Sequence, residues 1–306
     1  MQPSLANLEL RHKAIHAMRR WFHGKGFIEV ETPVRIPHPA PEAYIDCPPA
    51  GGAWLRASPE LQMKRLLAVG ADRIFQIGAC FREGERGSRH NPEFTMLEWY
   101  RRDASYLDIL DDCRALIADS AASSTGSTII HRDGQRIDLA STWETIAVRD
   151  AYRMWAGWDP VSSWDADRFD TDMAQLIEPS LPRDRAVVLV DYPREAASLS
   201  RIKQSDQAVA ERWELYIGGM ELANAFGELT DGREMRRRFE EARAKRSALG
   251  EADYGLDEDF LHDLESGAYP RSGGIALGID RFVMLLANAS SIDEVRAFCP
   301  PVGTLW

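Results

Sequence analysis

Glu93-Phe94-Thr95-Met96-Leu97-Glu98-Trp99-Tyr100-Arg101-Arg102 is the stretch on which the fold turns. Read as a strand, its period of two places Phe94, Met96, Glu98 and Tyr100 on one face. That face combines an aromatic ring, a thioether, a carboxylate and a phenol. An ordinary core face excludes Glu98, because a buried carboxylate without a cation is costly. On an isolated strand, a solvated Glu98 at a sheet edge would be an equally good account.

The neighbouring sequence changes that balance. Arg73 to Arg82 alternates in the same way, and the polar stretch Glu83 to Pro92 joins the two as a long connection between antiparallel strands. Arg82, Arg86, Arg89 and His90, beside Glu83 and Glu85, supply planar donors suited to triphosphate oxygens, although a solvated charged turn has the same composition. Upstream, Leu8, Ile15, Met18, Trp21 and Phe22 predict an amphipathic helix over 7–23, stopped by Gly24 and Gly26. Phe27 to Val30 follows as a short strand ending at Thr32-Pro33. Ser58-Pro59-Glu60 reads as an N-cap, a proline at the first helical position and an acid in the first turn, opening a helix over about 59–69 with Gly70 as its stop.

Downstream, residues 104–185 are mostly helical in pattern and carry no recognisable chemistry. Ala186 to Tyr192 reads as a buried strand, Trp213 to Phe226 as a hairpin around Gly218-Gly219, and Asp231 to Leu249 as a charged helix stopped by Gly250. Arg236 to Arg238, Lys245 and Arg246 fall in that helix and read as a solvated face. Glu214, Glu221 and Glu228 bracket the hairpin, with Asn224, Phe226 and Glu228 on one strand face. Carboxylates turned toward bound phosphates suit magnesium, although each acid alone is better read as surface. Gly273 to Ile279 is a glycine-rich strand running into an Asp280 to Ala287 helix, and Arg281 at the helix start favours phosphate.

Composition bounds the rest. With 306 residues, 44% of them hydrophobic, the chain suffices for one large core, and no repeat or low-complexity linker divides it, so a single domain over 1–306 is expected. A net charge of -11 argues weakly against nucleic acid as a partner. No apolar run approaches a membrane span and no leader-like segment opens the chain, so no membrane association and a cytoplasmic location are expected. Cys47, Cys80, Cys113 and Cys299 lack paired spacing and read as reduced and structural.

The ordered segments resemble the three motifs of the class II aminoacyl-tRNA synthetases. Gly26 to Pro33 is similar to the first, Phe81-Arg82-Glu83 through His90-Asn91-Pro92-Glu93-Phe94 to the second, and Gly274 through Arg281 to the third. Ser58-Pro59-Glu60, Leu97 to Tyr100 and Glu221 to Asp231 resemble the lysyl branch. The resemblance implies an α+β fold, a class II aminoacyl-tRNA synthetase catalytic core with an antiparallel sheet flanked by helices. It also implies a homodimer formed through the first-motif helix and Pro33.

The same resemblance implies roles for particular residues. Arg82 on the α-phosphate and Arg281 on the γ-phosphate would be catalytic. ATP would also meet Gly84, His90, Asn91, Leu222 and Gly278, with Phe94 stacked on adenine. The second motif reads Arg82-Glu83-Gly84-Glu85 and departs from the usual Arg-Asn-Glu, so either Glu83 or Glu85 meets the nucleotide. Glu214 and Glu221 would hold Mg2+. Glu98, Tyr100 and Glu228 would bind the side-chain ammonium of a lysine-like substrate, with Ser58, Pro59, Glu60 and Asn224 around its other amino group and its carboxylate.

The first-motif strand begins near residue 26, which leaves no room for the anticodon-binding barrel of roughly 100 residues that a lysyl-tRNA synthetase carries before its core. A core without that barrel is better matched by the truncated paralogue family, the elongation factor P (R)-β-lysine ligases. Ala276 points the same way, standing where the synthetase pattern has glycine and the paralogue pattern alanine. The expectation is activation of (R)-β-lysine or lysine as an adenylate and transfer to a lysine ε-amine of elongation factor P, with tRNA a poor substrate. The alternative is a free-standing lysyl-adenylate-forming enzyme whose acceptor is tRNA or a small molecule.

Overall fold

The structure, a computed structural model, describes residues 4–300. Helix α1 (Leu5–Gly24) starts at Ser4, whose hydroxyl accepts from the Asn7 amide at 3.1 Å, and buries Ala14, Ala17, Met18 and Phe22 at helical spacing. Strand β1 (Ile28–Glu29), a small ribbon of β2 (Arg35–Ile36) and β3 (Trp54–Leu55), and helix α2 (Glu60–Ala68) follow. Pro59 is the N-cap of α2 rather than its first helical residue. Ser58 still caps in substance, because its Oγ accepts from the Glu60 amide at 3.0 Å.

Strands β4 (Arg73–Phe81) and β5 (Glu93–Arg102) form the expected antiparallel pair. Helix α3 (Tyr106–Thr125) opens on a Ser105–Asp108 capping box and stops at the left-handed Gly126. Residues 104–185 are mostly helical, as expected, but the sequence reading missed three short strands there. A hairpin of β6 (Ile129–Arg132) and β7 (Gln135–Asp138) turns on Asp133-Gly134, both at positive φ, and β8 (Glu144–Ala147) follows. The Asp-Gly pair was the sequence signal for that turn. Helices α4 (Val148–Trp155), α5 (Ala166–Asp172) and α6 (Glu178–Ser180) complete the region.

Strands β9 (Ala186–Pro193), β10 (Val209–Ile217) and β11 (Met220–Gly227), helices α7 (Gly232–Leu249) and α8 (Glu258–Glu265), strand β12 (Ser272–Gly278) and helix α9 (Ile279–Ala287) close the fold. The large sheet runs β1-β4-β5-β12-β11-β10-β9-β8. Its interior pairs are antiparallel, while both outermost pairs, β1 with β4 and β8 with β9, are parallel.

The two faces of this sheet differ sharply. Leu97, Trp99, Ile275, Leu277, Ala223, Ala225 and Trp213 pack with residues of α1, α3 and α9 in the main core. On the other face, Gln76, Glu98, Ala276, Asn224 and Glu214 stand in register across five strands. Two apolar clusters cover the ends of this polar face. One gathers Ile74 and Tyr100 with residues of α2, α7 and α8, and the other gathers Leu189, Tyr192 and Tyr216 with Tyr152 and Phe169. The gap between them is the cavity.

The arginines of α7 divide. Arg236 pairs with Glu258 and Glu265, and Arg237 with Glu234 and Glu241, on the exposed side. Arg246 is not on a solvated face, as composition had implied, but is 1% exposed and bound to Asp46 at 2.7 Å. All four cysteines are free; Cys47, Cys80 and Cys113 are buried.

Gly273 tests the packing of α3 against the sheet. A Cβ there would lie 2.6 Å from Ile109 Cγ1 and 2.9 Å from the Ser105 carbonyl oxygen, inside van der Waals contact with backbone. Gly273→Ala is therefore expected to destabilise the protein by about 1–3 kcal/mol, read from chemical denaturation midpoints. An unchanged midpoint would contradict this packing.

Candidate active site

The cavity on the polar face holds about 400 Å³ and is bounded by β5, β10, β11 and β12, the β4–β5 connection and the loop after β2. Phe94, Met96, Glu98 and Tyr100 all line it, as the period of two in β5 requires. Ser58, Glu60, Arg82, Glu85, His90, Asn91, Glu221, Leu222, Asn224, Glu228, Ala276, Gly278 and Arg281 line it too. Pro59, Glu83, Gly84 and Glu214 do not border this space. Of the two acids left open by the sequence, Glu85 is the one that faces the cavity. Leu222 contributes to the wall but packs in the main core.

At the deep end Glu98 is 1% exposed. Its Oε1 accepts from Ser58 Oγ at 2.6 Å and its Oε2 from Tyr100 OH at 3.0 Å, and no cation reaches it among the described residues. Burial first, and the charge of Glu60 second, push its pKa up to about 8. Gly274 makes room for this arrangement, since a Cβ there would sit 2.3 Å from both the Tyr100 ring and Glu228 Oε1.

Glu228 differs from Glu98 because it already has a cation. Lys64, 1% exposed, donates to Glu60 Oε1 at 2.6 Å and stands 2.6 Å from Glu228 Oε2. The second approach is an ion pair whose alignment leaves Oε2 without a hydrogen bond. Burial alone would discharge Lys64, but Glu228 and Glu60 outweigh it and raise its pKa, so the ammonium is held charged. Sequence reading missed Lys64, which sits four residues after Glu60 on α2; that i, i+4 spacing was the available signal. Glu60 and Glu228 thus share one internal cation and Glu98 pairs with none, leaving the cluster short of positive charge.

At the other end Arg281 is fixed from several sides. It donates to the Glu221 carbonyl at 2.9 Å and to Glu221 Oε2 at 3.2 Å, and its Nη2 meets His90 Nε2 at 2.7 Å. Burial, and then the charge of Arg281, lower the His90 pKa, so the ring accepts this bond as a neutral imidazole. Arg82 lies 5.2 Å over the Phe94 ring, 3.6 Å from Glu85. Its buried Nε has no hydrogen-bond partner, and neither do the buried side-chain oxygens of Asn91 and Asn224. Such orphaned groups in one cavity fit a polar ligand that satisfies them. Asp280, also unread in the sequence, holds this end together by accepting from the Thr95 amide at 2.8 Å and Arg296 at 3.0 Å while pairing with Arg11.

The proposed metal acids sit differently from each other. Glu214 Oε1 accepts from Arg212 at 2.6 Å and Oε2 from Tyr216 OH at 2.8 Å, whereas Glu221 borders the cavity with a partly exposed side chain. Burial and then Glu214 raise the Glu221 pKa against the opposing pull of Arg281. Two acids that repel each other beside an arginine fit a divalent cation completed by phosphate oxygens and water. Among the described residues no group of three or more acids, histidines and cysteines is placed to hold a metal by itself.

A sequence profile of the class II tRNA synthetases for aspartate, lysine and asparagine (D, K and N) matches residues 2–301. The chain belongs to this family. Among its relatives, the elongation factor P–(R)-β-lysine ligase of Hamiltonella defensa is 37% identical, over 97% of this chain and 96% of the relative. The ligase of the same name from Mannheimia succiniciproducens is 35% identical over 97% and 96%. The lysine–tRNA ligase of Pelotomaculum thermopropionicum is 36% identical over 95% of this chain but only 62% of its own length.

For this class II protein the deep carboxylate makes a measurable demand. Below about pH 8 Glu98 carries a proton in the free protein, and an ammonium ligand must displace it. Lysine binding near pH 7 is therefore expected to release close to one proton, and affinity to rise as pH increases from 6 to 8. Calorimetry in buffers of different ionisation enthalpy measures the release, and Glu98→Gln should remove most of it and lower lysine activation about a hundredfold or more. Lysine binding without proton release in the wild type would contradict the assignment.

Proposed function

We propose that this protein activates (R)-β-lysine, or lysine, with ATP as an aminoacyl-adenylate and transfers it to the ε-amine of a lysine on elongation factor P, acting as an amide-forming ligase. The observation that carries this reading is the set of relatives named elongation factor P–(R)-β-lysine ligase that match the chain. Two of them, from Hamiltonella defensa and Mannheimia succiniciproducens, are 37% and 35% identical to it over 97% of its length. The uncommitted acid Glu98 supports a cationic side chain on the substrate.

In this reading the substrate carboxylate attacks the α-phosphorus of ATP and pyrophosphate leaves. Arg82 and Arg281 stabilise the charge that gathers on the transferring and departing phosphates, with His90, Asn91 and Glu85 at the nucleotide and Phe94 against adenine. Glu221 and Glu214 would hold Mg2+, which adds positive charge at the phosphates. Glu98, Tyr100 and Glu228 take the side-chain ammonium, while Ser58, Glu60 and Asn224 surround the other amino group and the carboxylate. Ala276, in register between Glu98 and Asn224, adds a methyl to the floor and favours an amino group displaced by one carbon.

The assembly proposed is a homodimer through the first-motif segment, which the 61% exposure of Ile28 on the edge strand β1 supports. A cytoplasmic location accords with the lack, among the described residues, of any helix long and apolar enough to cross a membrane.

Intact mass spectrometry of elongation factor P after incubation with enzyme, ATP and (R)-β-lysine is expected to show one added β-lysyl residue. An unmodified factor beside efficient charging of purified tRNA would favour the lysine–tRNA ligase reading instead.

A further inference from the structure

Seven acidic side chains line the cavity, and six of them have a partner. Glu60 and Glu228 share Lys64, Glu85 faces Arg82, Glu98 takes Ser58 and Tyr100, Glu221 takes Arg281, and Asp280 takes Arg296. Glu42 alone makes no side-chain hydrogen bond or ion pair among the described residues. The adenylation chemistry above does not use it, and nothing in the sequence had marked it.

Glu42 is nonetheless held in place. It lies in the loop between β2 and β3, and its carbonyl accepts from Arg246 at 2.9 Å. The same buried guanidinium binds the Ile45 carbonyl at 2.9 Å, Asp46 at 2.7 Å and the Ala252 carbonyl at 3.0 Å. A loop pinned from behind by a fully buried arginine presents one unpaired carboxylate to the cavity. Glu42 is half-buried, whereas Glu98 and Glu228 are 1% exposed, so it stands at the rim rather than the floor. It also borders a crevice of about 10 Å³ shared with Ser58 and Glu60, room for about one water.

We propose that Glu42 receives the incoming acceptor ammonium and takes its proton, serving the transfer half of the reaction rather than the activation half. This rests on the proposed function, in which the acceptor is an amine. The charged groups facing Glu42 are Glu60, Arg82, Arg212 and Lys64. Burial, and then Glu60, raise its pKa, which narrows the gap to an alkylammonium. In the step, the acceptor –NH3+ gives one proton to the Glu42 carboxylate, and the freed lone pair forms the C–N bond at the adenylate carbonyl. The C–O bond to phosphate breaks with its electron pair on the AMP oxygen. The second nitrogen proton leaves with the AMP phosphate, giving a neutral amide.

The test compares Glu42→Gln and Glu42→Asp with wild type, reading transfer per adenylate formed so that any change in activation divides out. Elongation factor P and n-butylamine are acceptors charged at neutral pH, while hydroxylamine is already neutral and needs no base. For Glu42→Gln the transfer-to-activation ratio is expected to fall about a hundredfold with both charged acceptors, to recover partly as pH rises toward 9, and to stay near wild type with hydroxylamine. Glu42→Asp should restore part of the loss.

An unchanged ratio with the charged acceptors, or an equal fall with hydroxylamine, would overturn the assignment. If wild type leaves the factor unmodified yet captures butylamine, the choice of acceptor protein is what fails. The role of Glu42 is then decided by the butylamine-to-hydroxylamine ratio.

Discussion

The register of β5 against β12 and β11 is the constraint on which the site depends. Glu98 opposite Ala276, and Ala276 opposite Asn224, put one row of side chains on the cavity face. The alternate row, Leu97 with Leu277 and Ala223, goes into the core. A slip of one residue would exchange the two rows, burying Glu98 among leucines and exposing Trp99. The apolar row therefore enforces the geometry of the polar one, and the cost of holding acids at the cavity is met by the packing beneath them.

That cost is substantial, and the structure offsets it unevenly. A buried carboxylate without a partner costs several kcal/mol. Lys64 neutralises one charge between Glu60 and Glu228, and hydroxyls alone serve Glu98. The result is a cluster that tolerates its acids by pushing the Glu98 pKa up to about 8, and in the proposed reading a substrate ammonium would displace that proton. Full neutralisation within the protein would have been more stable, but would leave no open acid for the proposed substrate ammonium.

The two ends of the cavity are built on opposite electrostatic plans. The deep end lacks positive charge, while the opposite end gathers Arg82, Arg89 and Arg281, and burial and its arginine neighbours lower the pKa of Arg89. A ligand pair with an ammonium at one end and phosphates at the other satisfies both. Asp280 ties these plans to the fold, since it binds the β5 backbone at Thr95 while starting the helix that carries Arg281.

Much of this was legible in the chain. Alternation in β4 and β5, the glycine stops, the Ser58 cap before α2 and the spacing of Glu98 and Tyr100 are local properties, set by backbone sterics and side-chain periodicity within a few residues. The motifs that carry the family resemblance are local in the same sense. What sequence could not supply was partnership across distance. Lys64 between Glu60 and Glu228, Arg246 behind the Glu42 loop, and Asp280 beneath Thr95 join residues up to 204 positions apart. A charge in a sequence is indifferent between water and a partner, and only the packed structure, by removing water, decides which acids meet a cation and which, like Glu98 and Glu42, do not.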